Sequence, residues 1–574
     1  MGWWSWFACA GVPALPPADV VFTGGRVHPM DDDRVVQALV VDDGRVVFAG
    51  DDASALAFVG PGTERVDLGG ATVLPGFTDA HNHLLWSGAD LLLVDLYAAR
   101  DLAALEAAVT TWAAAHPDEP WVQGGGWALT TFVDVLDRDL LDAWVPDRPV
   151  YLYSADAHSA VVNSLALELA GIDADTPDPV DGTIVRDGAG EPTGLLLEGG
   201  MGLVEVVLPP YSDELADEGL RNAQREANSF GVTNVVDPLV EPWMLAGYVR
   251  ADNAGALTVR VHGAGYVDAA DPDPVVALEA LRDRFSSPRV EVNAGKLFLD
   301  GVLETQTAYL LAPYVDGTNG TPVFGRDHLY DVAAAMDAAG FQLHAHVIGD
   351  GAVRQLLDAV AHVEQVNGPR DRRPLAAHIE LVHPDDVPRF AALGVLADAQ
   401  PLWAYPDSYI RDLTWPVIGP ERSEWLYPFG SLEDAGAVLV GGSDWSVTSQ
   451  NPWEAIEVMV RRSNPWRDAK LVLVPEERVS LDTAIRAYTA DGARASFSED
   501  ELGTLSVGAR ADLVVLDRDP WAIPVEALSD VVVTSTWLDG EVVWEATGAE
   551  RSRPQPQERQ GCPTPRVSGT TPVR

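Results

Sequence analysis

The chain has 574 residues, with 38 Lys or Arg against 87 Asp or Glu for a formal charge of −49, and it is 47% apolar with 18 Trp. That length suits one large barrel with an accessory domain, and the apolar content excludes wholesale disorder. The charge repels phosphate backbones and anionic lipid, which excludes nucleic acid and a membrane surface as partners and leaves a small molecule.

Residues 1–17 read as an N-terminal extension. Its run WWSWFACAGVPAL follows no Lys or Arg and is short for a membrane span, so the cytoplasm is the expected compartment. The cysteines, Cys9 and Cys562, both fall in terminal extensions, which excludes a disulfide framework, a zinc ribbon or a thiol nucleophile. Over 18–74, short apolar runs separated by Gly and Asp turns read as strands: VVFTGGRVHPM, ALVVDDGRVVFAG and TERVDLGGATVLPG. The same vocabulary returns over 496–547, in ADLVVLDRD and VVVTSTWLDGEVVWE. Two such flanks predict one β-sandwich domain assembled from both ends of the chain.

Between them, residues 75–495 alternate Ala-rich stretches ending in Gly with apolar strand-like runs, as in DVAAAMDAAG followed by FQLHAHVIGD. These are βα units, and their length suits an α/β fold of the (β/α)8 barrel type. A doubly wound sheet fits less well, because no GxGxxG fingerprint opens a βα unit. The stretch from about 97 to 230 is too long for a single βα step and predicts an insertion. From 548 to 574 the chain is rich in Pro, Arg and Gln, which predicts a disordered tail.

The residues with chemical potential cluster at expected strand ends. His81 and His83 stand two apart in FTDAHNHL, and His344 and His346 repeat that spacing in FQLHAHVIGD. In a strand, positions i and i+2 face the same way, so each pair can approach one metal ion. A chain of this His content holds roughly a quarter of one such pair by chance, so either pair alone is weak. Lys296 lies in the strand-like VNAGKLFLDGV, His378 in LAAHIELV, and Asp444 closes AVLVGGSDW. Two lysines occur in the whole chain, Lys296 and Lys470. Where a bare cation suffices this sequence uses Arg, so a retained Lys points to an amine that can lose its proton. Lys470 reads as an ordinary surface residue. Trp86, Trp127, Trp403, Trp445 and Trp453 fall near strand-end loops and suggest an aromatic-lined pocket for an apolar amide.

Together PGFTDAHNH, KLFLDGV, HVIGDGAV, HIELVHPDDVPRFAALGV, GGSDWSV and AYTADGARAS…LGTLSVGARADLVVLDRDP, in this order over residues 18 to about 545, resemble the amidohydrolase superfamily. The nearer likeness is to amidohydrolase family 3, the branch of YtcJ-like proteins and N-substituted formamide deformylases. That resemblance implies a distorted (β/α)8 TIM barrel with a composite β-sandwich from the N- and C-terminal segments. It implies one or two Zn²⁺ or other divalent ions held by His81, His83, Lys296 as its carbamate, His346, His378 and Asp444. Asp444 is then both ligand and proton shuttle. The HVIGD context favours His346 over His344 as the ligand, which leaves His344 as a support behind the ligands or simply core, and His383, opening a helix in VHPDD, reads as structural. His158, in DAHSAVVNSLAL, and Trp127, in GGGWALTTF, are expected to touch substrate. Where many relatives read IEHAQLVHPDD this chain reads AAHIELVHPDD, which keeps the metal-binding His as His378 and replaces its Ile-Glu neighbours by Ala.

The implied reaction is cleavage of a non-peptide C–N bond, in an amide, N-formyl or N-acyl group of a small substrate, by metal-activated hydroxide (class EC 3.5). The alternatives are a deaminase of a cyclic amidine or nucleobase-like substrate, against which Lys296 argues, and a non-catalytic metal-binding regulator. A homodimer is the expected assembly.

Overall fold

The computed structural model describes residues 16–547 apart from 134, 180–181, 272 and 467–470. Cys9, Cys562, Lys470, most of the N-terminal extension and the tail from 548 lie outside the described residues.

An 8-stranded parallel sheet runs in chain order through β1 (Phe77–Asp79), β2 (Val232–Val240), β3 (Arg260–Tyr266), β4 (Val290–Phe298), β5 (Gln342–Val347), β6 (Leu375–His378), β7 (Leu396–Ala399) and β8 (Leu439–Gly441). Ala80 N donates to Gly441 O at 2.9 Å, so β8 returns to β1 and the sheet closes into a (β/α)8 barrel. Covering helices make both faces of these strands internal, which is why they are apolar runs without alternation. Every position of β5 and of β6 is buried.

The covering helices carry their own start signals. Helix Asp213–Ser229 begins at Ser212, whose hydroxyl accepts from Leu215 N at 3.1 Å, and places Asp213 and Glu214 in the positively polarised first turn. It buries Ala216, Leu220, Ala223 and Ala227 against helix Leu84–Asp90. The contact is close: a Cβ on Gly88 would meet Gly219 O at 2.5 Å, so only glycine fits there.

Between β1 and β2 the chain builds a separate 6-stranded mixed sheet spanning Val94–Asp95 to Pro192–Glu198. Its strands Val122–Trp127, Val150–Ser154 and Ser159–Val162 bury Val122, Leu152 and Val161 in a core of their own. Helix Asp213–Ser229 falls within the stretch expected as an insertion, yet its stripe of small apolar residues packs on the barrel.

The chain ends meet as well. In a 5-stranded sheet, Thr72–Pro75 pairs antiparallel with Leu513–Leu516, which pairs in turn with Val533–Leu538. A 4-stranded sheet of Val20–Thr23, Ala38–Asp42, Arg45–Gly50 and Glu64–Asp67 packs on it, with Phe22 edge-on to Trp537 at 4.9 Å. Arg260 of β3 ties this sandwich to the barrel, meeting Asp512 at 3.1 Å and Asp539 at 2.6 Å. Among the described residues, no helix is long and apolar enough to cross a membrane.

Candidate metal centre

The C-terminal ends of the barrel strands bring His81, His83, Lys296, His346, His378 and Asp444 together. His81 and His83 leave β1 on the same side, and His83 Nε2 stands 3.3 Å and His81 Nε2 3.6 Å from Asp444 Oδ1. Ligand atoms arranged tetrahedrally about one ion at zinc–nitrogen bond lengths sit about 3.4 Å apart, so these spacings fit a shared ion. The His346 and His378 rings are 4.6 Å apart, and His378 is 4.9 Å from His81. In the β4–β5 register Lys296 lies beside His344 and Phe298 beside His346, which puts the lysine one layer deeper than the ligand of β5.

Backbone geometry serves these positions. A Cβ on Gly442 would fall 2.5 Å from His81 Cβ, so the glycine lets β8 approach β1. Asp444 (φ 51°), His378 (φ 76°) and Ile379 (φ 41°) sit in the left-handed region that side chains rarely adopt. Such strain concentrates where a site dictates side-chain direction.

The donor chemistry fits a metal ion. His81 Nε2, His346 Nε2 and His378 Nδ1 are buried and make no hydrogen bond, a costly condition that a bound cation relieves. Burial, reinforced for His81 and His344 by the Lys296 ammonium and for His346 by His158, holds these imidazoles well below their ordinary range, in the neutral form that ligates metals. Burial also pulls Lys296 down to about 8, against the opposing carboxylates of Asp444, Asp398 and Asp237. Lys296 is 1% exposed, and no hydrogen bond or ion pair joins its amine to the described residues.

Several residues supporting the centre escape the sequence reading. Asp398 of β7 takes His81 Nδ1 at 2.8 Å and lies 3.3 Å from His344 Nε2; Gln400 Nε2 donates to its other oxygen at 3.0 Å. His81, His344 and Asp398 also converge closely enough to be ligands. Their 2.8 Å and 3.0 Å separations are those of hydrogen bonds, so they orient His81 rather than share an ion with it. Asp300 accepts from Ile348 N, Gly349 N and Tyr309 N and stands 3.3 Å from His346 Nδ1. The signal for Asp398 was present: a lone acid in the apolar run VLADAQ, like Asp444 in AVLVGGSDW. Asp398→Asn should weaken divalent-metal affinity by roughly ten- to a hundred-fold, because a neutral amide draws the His81 Nδ1 proton less than a carboxylate does. Competition with a chelating dye checks this, and unchanged affinity would remove Asp398 from the centre.

Gln400 Oε1 accepts the His378 backbone N–H at 2.8 Å, and Trp403 stacks parallel on the His378 ring at 5.0 Å. Trp86 stands edge-on to His83 at 5.7 Å. Both tryptophans are half-buried at the mouth of the site. Trp127, expected at the substrate, is not brought there: it is wholly buried in the core of the inserted sheet, donating from Nε1 to Leu152 O at 2.9 Å. Trp445 and Trp453 are likewise buried. An aromatic side chain in a hydrophobic run is core material unless the fold leaves a face open. His158 does reach the site: its ring is 5.3 Å from His346, and Nδ1 meets Glu198 Oε2 at 2.7 Å. His344 is fully buried behind His81, and His383 sits outside the cluster, half-buried against Trp425.

A family model described as Amidohydrolase family matches residues 64–544. "Protein LONG AFTER FAR-RED 3" of Arabidopsis thaliana is 32% identical over 90% of this chain and 90% of its own length. "Putative amidohydrolase YtcJ" of Bacillus subtilis is 30% identical and "N-substituted formamide deformylase" of Arthrobacter pascens 29%, each over 92% of this chain and 99% of its own length. An uncharacterized metal-dependent hydrolase from Pyrococcus furiosus, of solved structure, superposes with a TM-score of 0.69 at 28% identity, over 87% of this chain and 99% of its own.

Proposed function

The chain belongs to the amidohydrolase family, and from that premise we propose that it is a metal-dependent hydrolase cleaving a non-peptide C–N bond, in an amide, N-formyl or N-acyl group of a small substrate. The observation carrying this reading is the convergence of His81, His83 and Asp444 at ligand spacing beside the unbonded, buried ring nitrogens of His81, His346 and His378. His81, His83 and Asp444 would hold one divalent ion, and His346, His378 and Lys296 as its carbamate a second. Zinc or a similar ion there polarises a carbonyl and acidifies water.

The chain's own groups supply the rest. Asp444 takes a proton from the attacking water on its carboxylate and returns it to the leaving nitrogen. Burial opposes charge on His158, but the Glu198 carboxylate outweighs it and pushes the imidazole up to about 9. His158 is therefore cationic at neutral pH and, with Nδ1 held by Glu198, presents Nε2–H to the carbonyl oxygen, which gains charge as water adds to the carbonyl carbon and loses it as the C–N bond breaks. Trp86 and Trp403 wall the reacting atoms from bulk water.

Turnover of N-formyl, N-acyl and cyclic amides and of a cyclic amidine tests the reading. We expect hydrolysis of at least one amide class, lost on dialysis against a chelator and restored by zinc. Metal-replete protein inert across the series would overturn it, and ammonia release from the amidine alone would reassign the chain as a deaminase.

A further inference from the structure

We propose that Thr307, in the loop after β4, is a positioning residue for turnover: through the Glu198 carboxylate it holds the His158 imidazole beside the metal centre. The inference rests on the hydrolase reading above and adds a barrel residue to it. His158 and Glu198 stand at adjoining ends of two antiparallel strands of the inserted sheet: Ser159 pairs with Leu197, and Glu198 N donates to His158 O at 3.0 Å. Those strands bury Ala160, Val161 and Leu196 in cores of the inserted sheet, apart from that of the barrel. The His158 ring must nevertheless stand 5.3 Å from the ring of His346 on β5. A group carried by one sheet thus works at a centre built by another, and its placement depends on what joins the two.

The Glu198 carboxylate makes that join. Its Oε2 takes His158 Nδ1 at 2.7 Å, and its Oε1 takes the Thr307 hydroxyl at 2.6 Å, the length of a charge-assisted O–H···O bond. The direction of the hydroxyl is fixed from behind. Val302 N donates to Thr307 Oγ1 at 2.9 Å, which occupies a lone pair and leaves the hydroxyl proton for an acceptor. Glu198 Oε1 is nearer to it than Val302 O, which lies at 3.2 Å.

The chain departs from ordinary geometry to make this contact. Glu198 has φ 51° and ψ −130°, a backbone conformation that tight turns give to glycine. It opens the helix Gly199–Glu205, yet its carboxylate bonds none of that helix's N–H groups and turns to Thr307 and His158 instead. A residue with a side chain persists in such a conformation only where its surroundings hold it, and residues of this kind gather at functional sites. On the barrel side, a Cβ on Gly301 would collide with both Thr307 Oγ1 and Glu198 Oε1, so the loop has a glycine where the carboxylate enters. Without the Thr307 hydroxyl one end of a long side chain on strained backbone is released, and the imidazole bonded to its other end shifts with it. Misplacing a reacting group by about 1 Å costs on the order of a hundred-fold in rate.

A double-mutant cycle on the metal-loaded protein tests this, with the amide that the unaltered chain hydrolyses fastest. Thr307→Val keeps the side-chain shape without the hydroxyl and should lower kcat roughly ten- to a hundred-fold with KM within about threefold, whereas Thr307→Ser should restore kcat to within about threefold. In a His158→Gln background Thr307→Val should cost nothing further, because it acts through that imidazole. An equal loss in both backgrounds is the mark of a structural role and overturns the proposal, as does unchanged kcat in Thr307→Val. Crystal structures of the unaltered protein and of Thr307→Val report the geometry without turnover: the His158 ring should leave its place beside His346 in the variant, and a ring that stays overturns the proposal. If a thermal melt shows Thr307→Val unfolded, Thr307→Ala makes the same cut with a smaller side chain and carries the same outcomes. Amide hydrolysis with full kcat in the variant leaves the hydrolase reading standing and removes Thr307. Absence of turnover by the metal-replete unaltered protein removes the hydrolase reading, while a displaced ring in the variant still supports Thr307 as the anchor of His158.

Discussion

Asp444→Asn should lower kcat by roughly 10³-fold or more, with the fold and unfolding midpoint preserved. Asp444 closes β8 with its Oδ1 3.3 Å from His83 Nε2 and 3.6 Å from His81 Nε2. It is 6% exposed, and its backbone N–H donates to His81 O at 2.7 Å, which sets the side chain over the ends of β1. Asparagine tolerates the left-handed backbone at this position (φ 51°) better than other residues and keeps the side-chain volume. It cannot carry a proton from water to a leaving nitrogen. The loss should therefore fall on kcat and leave substrate KM within a few-fold, as read by steady-state kinetics beside a thermal melt. A variant retaining a tenth or more of the original kcat would exclude Asp444 as the proton carrier.

Lys296→Met should lose both activity and metal, with kcat/KM down by roughly a hundred-fold or more. An amine drawn down to about 8 by burial is neutral in roughly a tenth of the molecules near pH 7, hundreds of times the share of an ordinary lysine. In that form its nitrogen can add to CO₂, releasing a proton and leaving a carbamate whose oxygens would ligate a metal as a carboxylate's do. Arginine cannot lose its proton, and methionine has no nitrogen. Methionine has a similar length and no charge, so it fills the buried site without stranding a guanidinium there. Metal analysis of the purified variant and a carbamate carbonyl resonance after equilibration with ¹³C-bicarbonate, present in the unaltered protein and absent in Lys296→Met, check this together. Full metal content and activity in Lys296→Met would remove the amine from the centre.

Much of the centre was legible because its groups stand where one-dimensional rules predict them. Period-two spacing put His81 with His83 and His344 with His346, and an acid at the close of an apolar run marked Asp444. The sorting of His344 from His346 was a matter of depth: both face inward from β5, and only the folded barrel shows that His344 meets His81 and Asp398 of β7 behind the ligands. Asp398 itself was missed although it sits in the same kind of run as Asp444. Trp127 misled, since its position in a Gly-rich loop sequence says nothing of the sheet that encloses its ring.

The acidic composition excluded phosphate-bearing partners but not where the acid is concentrated. Alternating strand and helix signals, together with matching β-rich flanks, determined the barrel class and the pairing of the chain ends, because local periodicity and turn residues act within a few positions of each other. Which polar groups face one another was decided by the closed barrel alone. Its strands bring residues hundreds of positions apart into a volume from which water is excluded. There the partners of His81 and the field on Lys296 depend on distance in space rather than along the chain.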